Sequence, residues 1–243
     1  MDILKKKLDF YAKKISKSYN LSDKYLDNLY SVFPFNKFEY VISHLLATKI
    51  ISLDDYFDIR NEYLARNKYL HLFEISAPRG FGETWAQNHL NELVQDLKRP
   101  NKKLDKNYSG EYDFWYEGIK IEVKASRAVD SYSDESLYIK ALDSKSKLPF
   151  DMNFQQLKPG CCDVFIWVAV WRDKIRYWIL PSKDALKSKF FSNQHRGSKG
   201  SKIIEGQIHI TNDNISEFNK YEVSAKDILA KIIETKIKKA SKK

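Results

Sequence analysis

One stretch limits the folds open to this 243-residue chain more than any other, namely CDVFIWVAVWRDKIRYWILP, residues 162–181. Its first half, Val164–Val170, is continuously apolar, which is typical of a strand that is buried on both faces. A turn at Arg172 and Asp173 separates this strand from a second apolar strand. Because helical patterns precede and follow the strands, the sequence predicts an α/β fold in which helices flank a mixed β-sheet core.

Residues 1 to about 75 show a helical pattern and no cluster of catalytic type. Leu4, Leu8 and Tyr11 recur at steps of three and four residues, as they would on one face of a helix. Ser and Asp residues stand ahead of the apolar runs, which is typical of helix N-caps. We therefore expect a helical accessory or dimerisation segment over 1–75 and a core domain over 76–243 that ends in an amphipathic helix.

The charge balance favours a polyanionic partner. The chain carries 42 Lys and Arg residues against 32 Asp and Glu residues, a formal net charge of +10. Such a surplus is typical of proteins that bind nucleic acid, although a solvated, lysine-rich surface would also produce it.

Several other classes of protein lack support in the sequence. The two adjacent cysteines, Cys161 and Cys162, give no zinc-ligand spacing. The chain has no pattern of a signal peptide and no run of roughly 20 apolar residues that would cross a bilayer. It also has no GxxxxGK[ST] phosphate-binding loop. We therefore expect a cytoplasmic protein with no membrane segment and no nucleotide cofactor.

Ionisable residues interrupt a predicted strand pair, GEYDFWYEGIKIEVKAS, at residues 110–126. Apolar and polar residues alternate on both sides of Glu117-Gly118, which predicts two strands joined by a tight turn. Residues two apart on a strand share a face, so Glu122 and Lys124 project the same way. The turn can bring Asp113 alongside them. The pattern therefore predicts a compact group of two acids and one lysine on a rigid sheet.

This group has the chemistry for phosphodiester hydrolysis. Two carboxylates bind a hard divalent cation such as Mg²⁺, for which Mn²⁺ can substitute. An ammonium group can orient or help deprotonate an attacking water and can offset phosphate charge. A bound metal ion activates the water and stabilises the leaving oxygen.

An acid, any residue and then Lys is a common tripeptide, so its context matters more than its presence. The chain contains it four times. Only the copy at Glu122 lies in an alternating apolar strand with a second acidic strand just upstream. The other copies are expected on helices or in a polar loop, and they are Asp96-Leu97-Lys98, Asp143-Ser144-Lys145 and Glu234-Thr235-Lys236.

This part of the sequence resembles the PD-(D/E)xK nuclease superfamily. The resemblance lies in Asp113 and then Glu122-x-Lys124 on consecutive strands, preceded by an acid-bearing helix. Type II restriction endonucleases and Holliday-junction resolvases belong to that superfamily. The resemblance covers about residues 80–181, and Tyr112 stands where the family often has Pro. It implies a restriction-endonuclease-like fold in which Asp113 and Glu122 bind the metal and Lys124 is the catalytic lysine. It also implies a homodimer that cuts both strands of double-stranded DNA.

Three further residues match places that some family members use. Members often add an acid from the helix before the motif, and Glu83 fits that place, although it could equally be a first-turn acid that stabilises the helix. Gln155 or Gln156, expected on a short helix, resembles a polar residue that some members bring toward the metal. The alternative is that both glutamines are simply exposed to solvent.

A loop rich in basic and amide residues, SNQHRGSKGSK at residues 192–202, is the main candidate for DNA contact. Arg and Lys can pair with guanine, Asn and Gln can pair with adenine, and all four can hold phosphate. A flexible solvated loop is the alternative. The candidate DNA-contact residues are Arg79, Asn193, Gln194, His195, Arg196, Lys199 and Lys202.

The leading hypothesis is a Mg²⁺-dependent, sequence-specific DNA endonuclease of the type II restriction class. A structure-selective nuclease of the Holliday-junction type is the nearest alternative. A non-catalytic DNA-binding module on the same fold is the alternative from another class, and charge and metal chemistry also leave RNA cleavage open.

Overall fold

A computed structural model describes residues 43–193 and 205–240. The chain divides into two compact units, Met1–Arg66 and Asn67–Lys243. The helical segment expected over 1–75 thus extends a little past this division. Among the described helices, none has the length and apolar character needed to span a bilayer.

The described part of the first unit is helical. Residues 43–47 are helical, and helix α1 spans Leu53–Arg66. Ser52 caps α1, because its Oγ accepts a hydrogen bond from the Asp55 backbone N–H at 3.1 Å. The Ser52 N–H in turn donates to Asp55 Oδ2 at 2.8 Å, which satisfies a second backbone donor at the helix end. The N-cap prediction is confirmed here, whereas the pattern predicted before residue 43 lies outside the described residues.

A five-stranded sheet forms the centre of the second unit. Its strands are β1 (Phe114–Tyr116), β2 (Ile119–Arg127), β5 (Val164–Val170), β6 (Ile175–Pro181) and β9 (Glu222–Val223), and they lie in the order β1-β2-β5-β6-β9. Strands β2 and β5 are parallel, while the other neighbours are antiparallel, so the sheet is mixed. Every residue of β5 is buried, which confirms the strand predicted from its continuous apolar run.

A four-stranded antiparallel sheet lies beside it. Its strands are β3 (Val129–Asp130), β4 (Phe150–Leu157), β7 (Phe191–Asn193) and β8 (Gly206–Thr211), and they lie in the order β3-β4-β8-β7. One face of this sheet is apolar and buried, and Phe154 stacks on Trp167 of β5 with 4.5 Å between the ring centroids. The two sheets therefore share one aromatic core.

The helices complete a mixed α/β fold, as predicted. A π-helix over Gly80–Ala86 continues into α2 (Gln87–Leu93), and the later helices are α3 (Ser182–Lys187), α4 (Ile215–Phe218) and α5 (Ile228–Ala240). Short 3₁₀ turns occupy Leu70–Phe73, Asn219–Tyr221 and Ala225–Asp227. Rings of Phe81, Trp85 and His89 stack along the π-helix and α2, and His89 reaches Tyr177 of β6 at 2.7 Å. This ladder fixes the helix against the five-stranded sheet.

The structure corrects two local predictions. The segment around Gln155 and Gln156, expected to be a short helix, belongs to β4, because alternating apolar residues bury one face against the core. The glycine-containing segment before α2, expected to be a loop, is helical from residue 78 onward. Pro78 fits the first turn of a helix, where its missing N–H breaks no bond.

Candidate active site

A tight hairpin turn brings the predicted acids and lysine together. Glu117 and Gly118 have φ angles of 42° and 85°, as a two-residue type I′ turn requires. The turn pairs Tyr116 with Ile119, and the ladder continues to the bond from the Asp113 N–H to the Ile121 carbonyl at 2.9 Å. Asp113 is thereby held beside β2, as the sequence predicted.

Two hydrogen bonds fix the Asp113 carboxylate. Its Oδ1 accepts from Gln87 Nε2 at 2.6 Å, and its Oδ2 accepts from the Val123 backbone N–H at 2.8 Å. Gln87 is itself oriented, because its side-chain oxygen accepts from the Arg99 guanidinium. A chain of contacts from Arg99 through Gln87 therefore sets the direction of the carboxylate.

Glu122 and Lys124 form a withdrawn ion pair on the same face of β2. Lys124 Nζ lies 2.7 Å from Glu122 Oε1, and the two side chains are 19% and 13% exposed, respectively. Ile121 and Val123 point the other way and are buried. Strand β2 is hydrogen-bonded on both sides, to β1 and β5, so the pair stands on a rigid support.

Burial dominates the electrostatics of the two acids. Burial raises the pKa of Asp113, and Lys124 and Arg99 only partly oppose that rise. Burial also raises the pKa of Glu122 to about 7, against the effect of Lys124, and the charge of Asp113 adds to the rise. Two withdrawn carboxylates whose pKa values are raised by burial bind a proton or a cation more readily than exposed carboxylates do.

A cleft of about 840 Å³ opens over this group. Its walls come from the π-helix, the β1–β2 hairpin and the outer face of β4. It brings together these residues predicted from the sequence: Arg79, Glu83, Asp113, Glu122, Lys124, Gln155 and Gln156. The other three copies of the acid-x-Lys tripeptide do not line it.

Glu83 lines the cleft but stands apart from the two withdrawn acids. Its side chain is 62% exposed, and Oε1 lies 3.3 Å from Arg79 Nε in a surface ion pair. Its charge contributes to the raised pKa of Asp113. Within the described ranges, no three His, Cys, Asp or Glu side chains are grouped to hold a metal ion. The role of Glu83 as an added metal ligand stays a prediction.

Gln155 and Gln156 lie at an irregularity in β4, where the pairing with β8 shifts between Phe154 and Leu157. Gln156 has a φ of 54°, an uncommon angle for a residue with a side chain. Both side chains are exposed and line the cleft, while the residues on either side of them are buried. A role toward the metal stays a prediction for either glutamine.

The predicted DNA-contact loop lies largely outside the described residues. Asn193 is described and is the exposed last residue of β7, away from the cleft lining. The remaining candidates, Gln194, His195, Arg196, Lys199 and Lys202, lie within the gap at 194–204.

Sequence reasoning missed several residues of the cleft. Gln87 contacts Asp113 but lies within an ordinary helical pattern, so nothing local marked it. Lys158 lines the cleft and its charge opposes the raised pKa of Glu122. Arg127 also lines the cleft, yet its guanidinium donates to the carbonyls of Leu72 and Ile75, which makes it an anchor for that segment.

The chain was compared with models of protein families, with curated proteins and with solved structures, and none of them matched. Function must therefore be inferred from the chemistry of the site, since an α/β fold alone does not determine an activity.

Proposed function

We propose that the protein is a Mg²⁺-dependent endonuclease that hydrolyses phosphodiester bonds of double-stranded DNA. One observation carries the proposal: the withdrawn carboxylates of Asp113 and Glu122, whose pKa values burial raises, lie beside Lys124 under an open cleft. The net charge of +10 supports a polyanionic substrate. A binding module would gain nothing from such a costly group of buried charges.

The donor set fits a magnesium ion. Mg²⁺ prefers oxygen ligands, and proteins commonly hold it through one or two carboxylates, with water and substrate phosphate completing the shell. Asp113 and Glu122 supply two such carboxylates, and the hydrogen bond from Gln87 keeps Asp113 oriented. When bound, the ion supplies Lewis-acid stabilisation of phosphate charge and a more acidic water.

The remaining residues act on the substrate and the water. Lys124, 2.7 Å from Glu122, is suited to orient the attacking water and to offset charge on the phosphate. The exposed Arg79 and the partly exposed Lys158 line the cleft and are suited to hold neighbouring phosphates.

The first experiment incubates the purified full chain with plasmid and phage DNA, with and without Mg²⁺, and separates the products on a gel. We expect discrete bands only when Mg²⁺ is present. A smear would indicate a non-specific nuclease. Intact DNA would contradict the proposal for ordinary duplexes, and parallel incubations with branched DNA and with RNA would then identify which substrate, if any, is cut.

The matched variants are Glu122→Ala and Asp96→Ala. Asp96 also belongs to an acid-x-Lys tripeptide, but it is exposed and lies outside the cleft. We expect Glu122→Ala to lower cleavage by roughly a hundredfold or more while DNA binding persists, and Asp96→Ala to cut normally. Equal loss of cleavage and binding in Glu122→Ala would mean that the residue is structural.

A further inference from the structure

The outer face of the four-stranded sheet carries polar side chains that the hydrolytic chemistry does not use. On β4 and β8 these residues alternate with buried Phe, Met and Ile residues, so they share one face. We call this face the amide ribbon, and it consists of Asp151, Asn153, Gln155, Gln207 and His209.

Hydrogen bonds order the amide ribbon across the two strands. Asn153 lies directly opposite His209, and its Nδ2 donates to Gln207 Oε1 at 3.2 Å. His209 Nδ1 lies 2.8 Å from Asp151 Oδ1. The Oδ1 of Asn153 is buried and has no hydrogen-bond partner among the described residues. A buried amide oxygen without a partner is costly, and no described residue supplies a donor to this one.

The amide ribbon borders the proposed catalytic group. Asp151, Asn153 and Gln155 line the same cleft as Asp113 and Glu122. A duplex whose phosphate lies over the two carboxylates would therefore have its adjoining groove within reach of β4.

The dimensions of the amide ribbon suit a groove of DNA. Strands β4 and β8 have eight and six residues, whereas the flanking β3 has two and β7 has three among the residues that the structure describes. Within those described residues the face is, for most of its length, that of a two-stranded ribbon. The major groove of B-DNA is about 12 Å wide and admits such a ribbon, whose strands lie about 4.8 Å apart.

We propose that the amide ribbon reads base edges in the major groove, with Asn153 and Gln155 as the principal base contacts. This inference rests on the proposed function, since it names how the substrate is selected. Asn and Gln can form paired hydrogen bonds with adenine. They carry no charge, so they add little to the phosphate attraction that dominates non-specific affinity. The amide ribbon therefore selects the site, while the basic residues hold the duplex.

The test selects binding sites from a pool of duplexes with a randomised centre, using the full chain without divalent cation. We expect the wild-type chain to enrich a motif that contains adenine. Asn153→Ala and Gln155→Ala should each relax the preference at one position by roughly 5- to 100-fold. Binding to a scrambled duplex should change by less than about twofold. Asn107→Ala, an exposed amide outside the cleft, should leave both properties unchanged.

Gln155 is exposed, so its truncation tests the proposal even if Asn153→Ala fails to fold. The proposal is overturned if both folded variants enrich the wild-type motif with unchanged preference, or if the wild-type chain enriches no motif. Plasmid cleavage with Mg²⁺, measured on the same proteins, tests the proposed nuclease function separately from the proposed base readout. Cleavage without an enriched motif would support the nuclease and contradict the role of the amide ribbon. An enriched motif without cleavage would support the amide ribbon and contradict the nuclease.

Discussion

Two walls of the cleft, the β1–β2 hairpin and the outer face of β4, differ in the kind of polar group they carry. The hairpin wall holds Asp113, Glu122 and Lys124, which are ionisable and largely withdrawn from solvent. The amide ribbon reaches the cleft through Asp151, Asn153 and Gln155; it consists mainly of amides, and its Asp151 is paired with His209. Charge that is withdrawn from water is costly, so it is expected where bonds are broken, whereas amides discriminate among partners at little electrostatic cost.

The walls also differ in backbone regularity. Strand β2 pairs with β5 in unbroken register from Ile121 to Arg127. Strand β4, in contrast, shifts its register between Phe154 and Leu157 and has a positive φ at Gln156. Irregularities of this kind re-aim side chains and are common beside functional sites. A fixed strand thus carries the proposed chemistry, and a bent strand presents the proposed recognition groups.

The first test of the comparison is pH, because burial gives the hairpin wall a carboxyl group with a pKa near neutrality. Burial raises the pKa of Glu122 to about 7, so a proton competes with Mg²⁺ below that pH. We expect the apparent Mg²⁺ affinity to fall by about tenfold for each pH unit below about 7. The Mg²⁺-dependent rise in Tm, measured from about pH 6 to about pH 8, checks this.

The metal-free protein should show the opposite trend. Because the pKa of Glu122 is higher in the folded than in the unfolded chain, the folded state binds the proton more tightly. Its free energy of unfolding should therefore decline as pH rises from about 4.5 to about 7 and then level off. Glu122→Gln should weaken both trends, of which Asp113, whose pKa burial also raises, keeps a part, while Asp96→Asn should leave them unchanged. A pH-independent Mg²⁺ effect in the wild-type chain would contradict Glu122 as a ligand.

The same contrast shows what could be predicted from the sequence. The hairpin was predictable because each signal is local, from the period-two alternation to the turn at Glu117-Gly118. The amide ribbon was not, because the polar pair Gln155-Gln156 breaks the alternation where the strand bulges. The segment therefore matched a helix about as well as a strand, and only its pairing with β8 decides between them.

Contacts between residues that are distant in sequence are the second reason why parts of the site could not be predicted. Gln87 lies 26 residues before Asp113, and no spacing rule links a helix residue to a strand that follows a long connector. Similarly, Gly80 and Gly82 suggested a loop, yet packing of Phe81 and Trp85 keeps that segment helical. Tertiary contacts override weak local preferences in both cases.

Gln87 gives the next test, because its hydrogen bond supports Asp113 on the hairpin wall. Gln87→Ala removes the 2.6 Å hydrogen bond to Asp113 and frees the Arg99 guanidinium. Losing a residue that orients a metal ligand typically lowers metal affinity or activity by about 10- to 100-fold. We therefore expect the Mg²⁺ concentration needed for half-maximal cleavage to rise by about 10- to 100-fold. The selected motif should be unchanged. The neighbouring exposed Asn88→Ala should behave like the wild-type chain. A changed motif in Gln87→Ala would mean that the two walls are coupled.

The smallest effect is expected on the π-helix wall of the cleft, where Glu83 is paired with Arg79. Exposed ion pairs contribute about 0–1 kcal/mol, and this one is exposed on both sides. We therefore expect Glu83→Gln to change the cleavage rate by less than about fivefold. The control variant is Glu92→Gln on α2, which also lies outside the group of withdrawn acids and should have a similarly small effect. Steady-state cleavage of a plasmid at several Mg²⁺ concentrations measures both variants. A loss of roughly a hundredfold in Glu83→Gln alone, with DNA binding intact, would make Glu83 a third metal ligand that swings inward once Arg79 engages a phosphate.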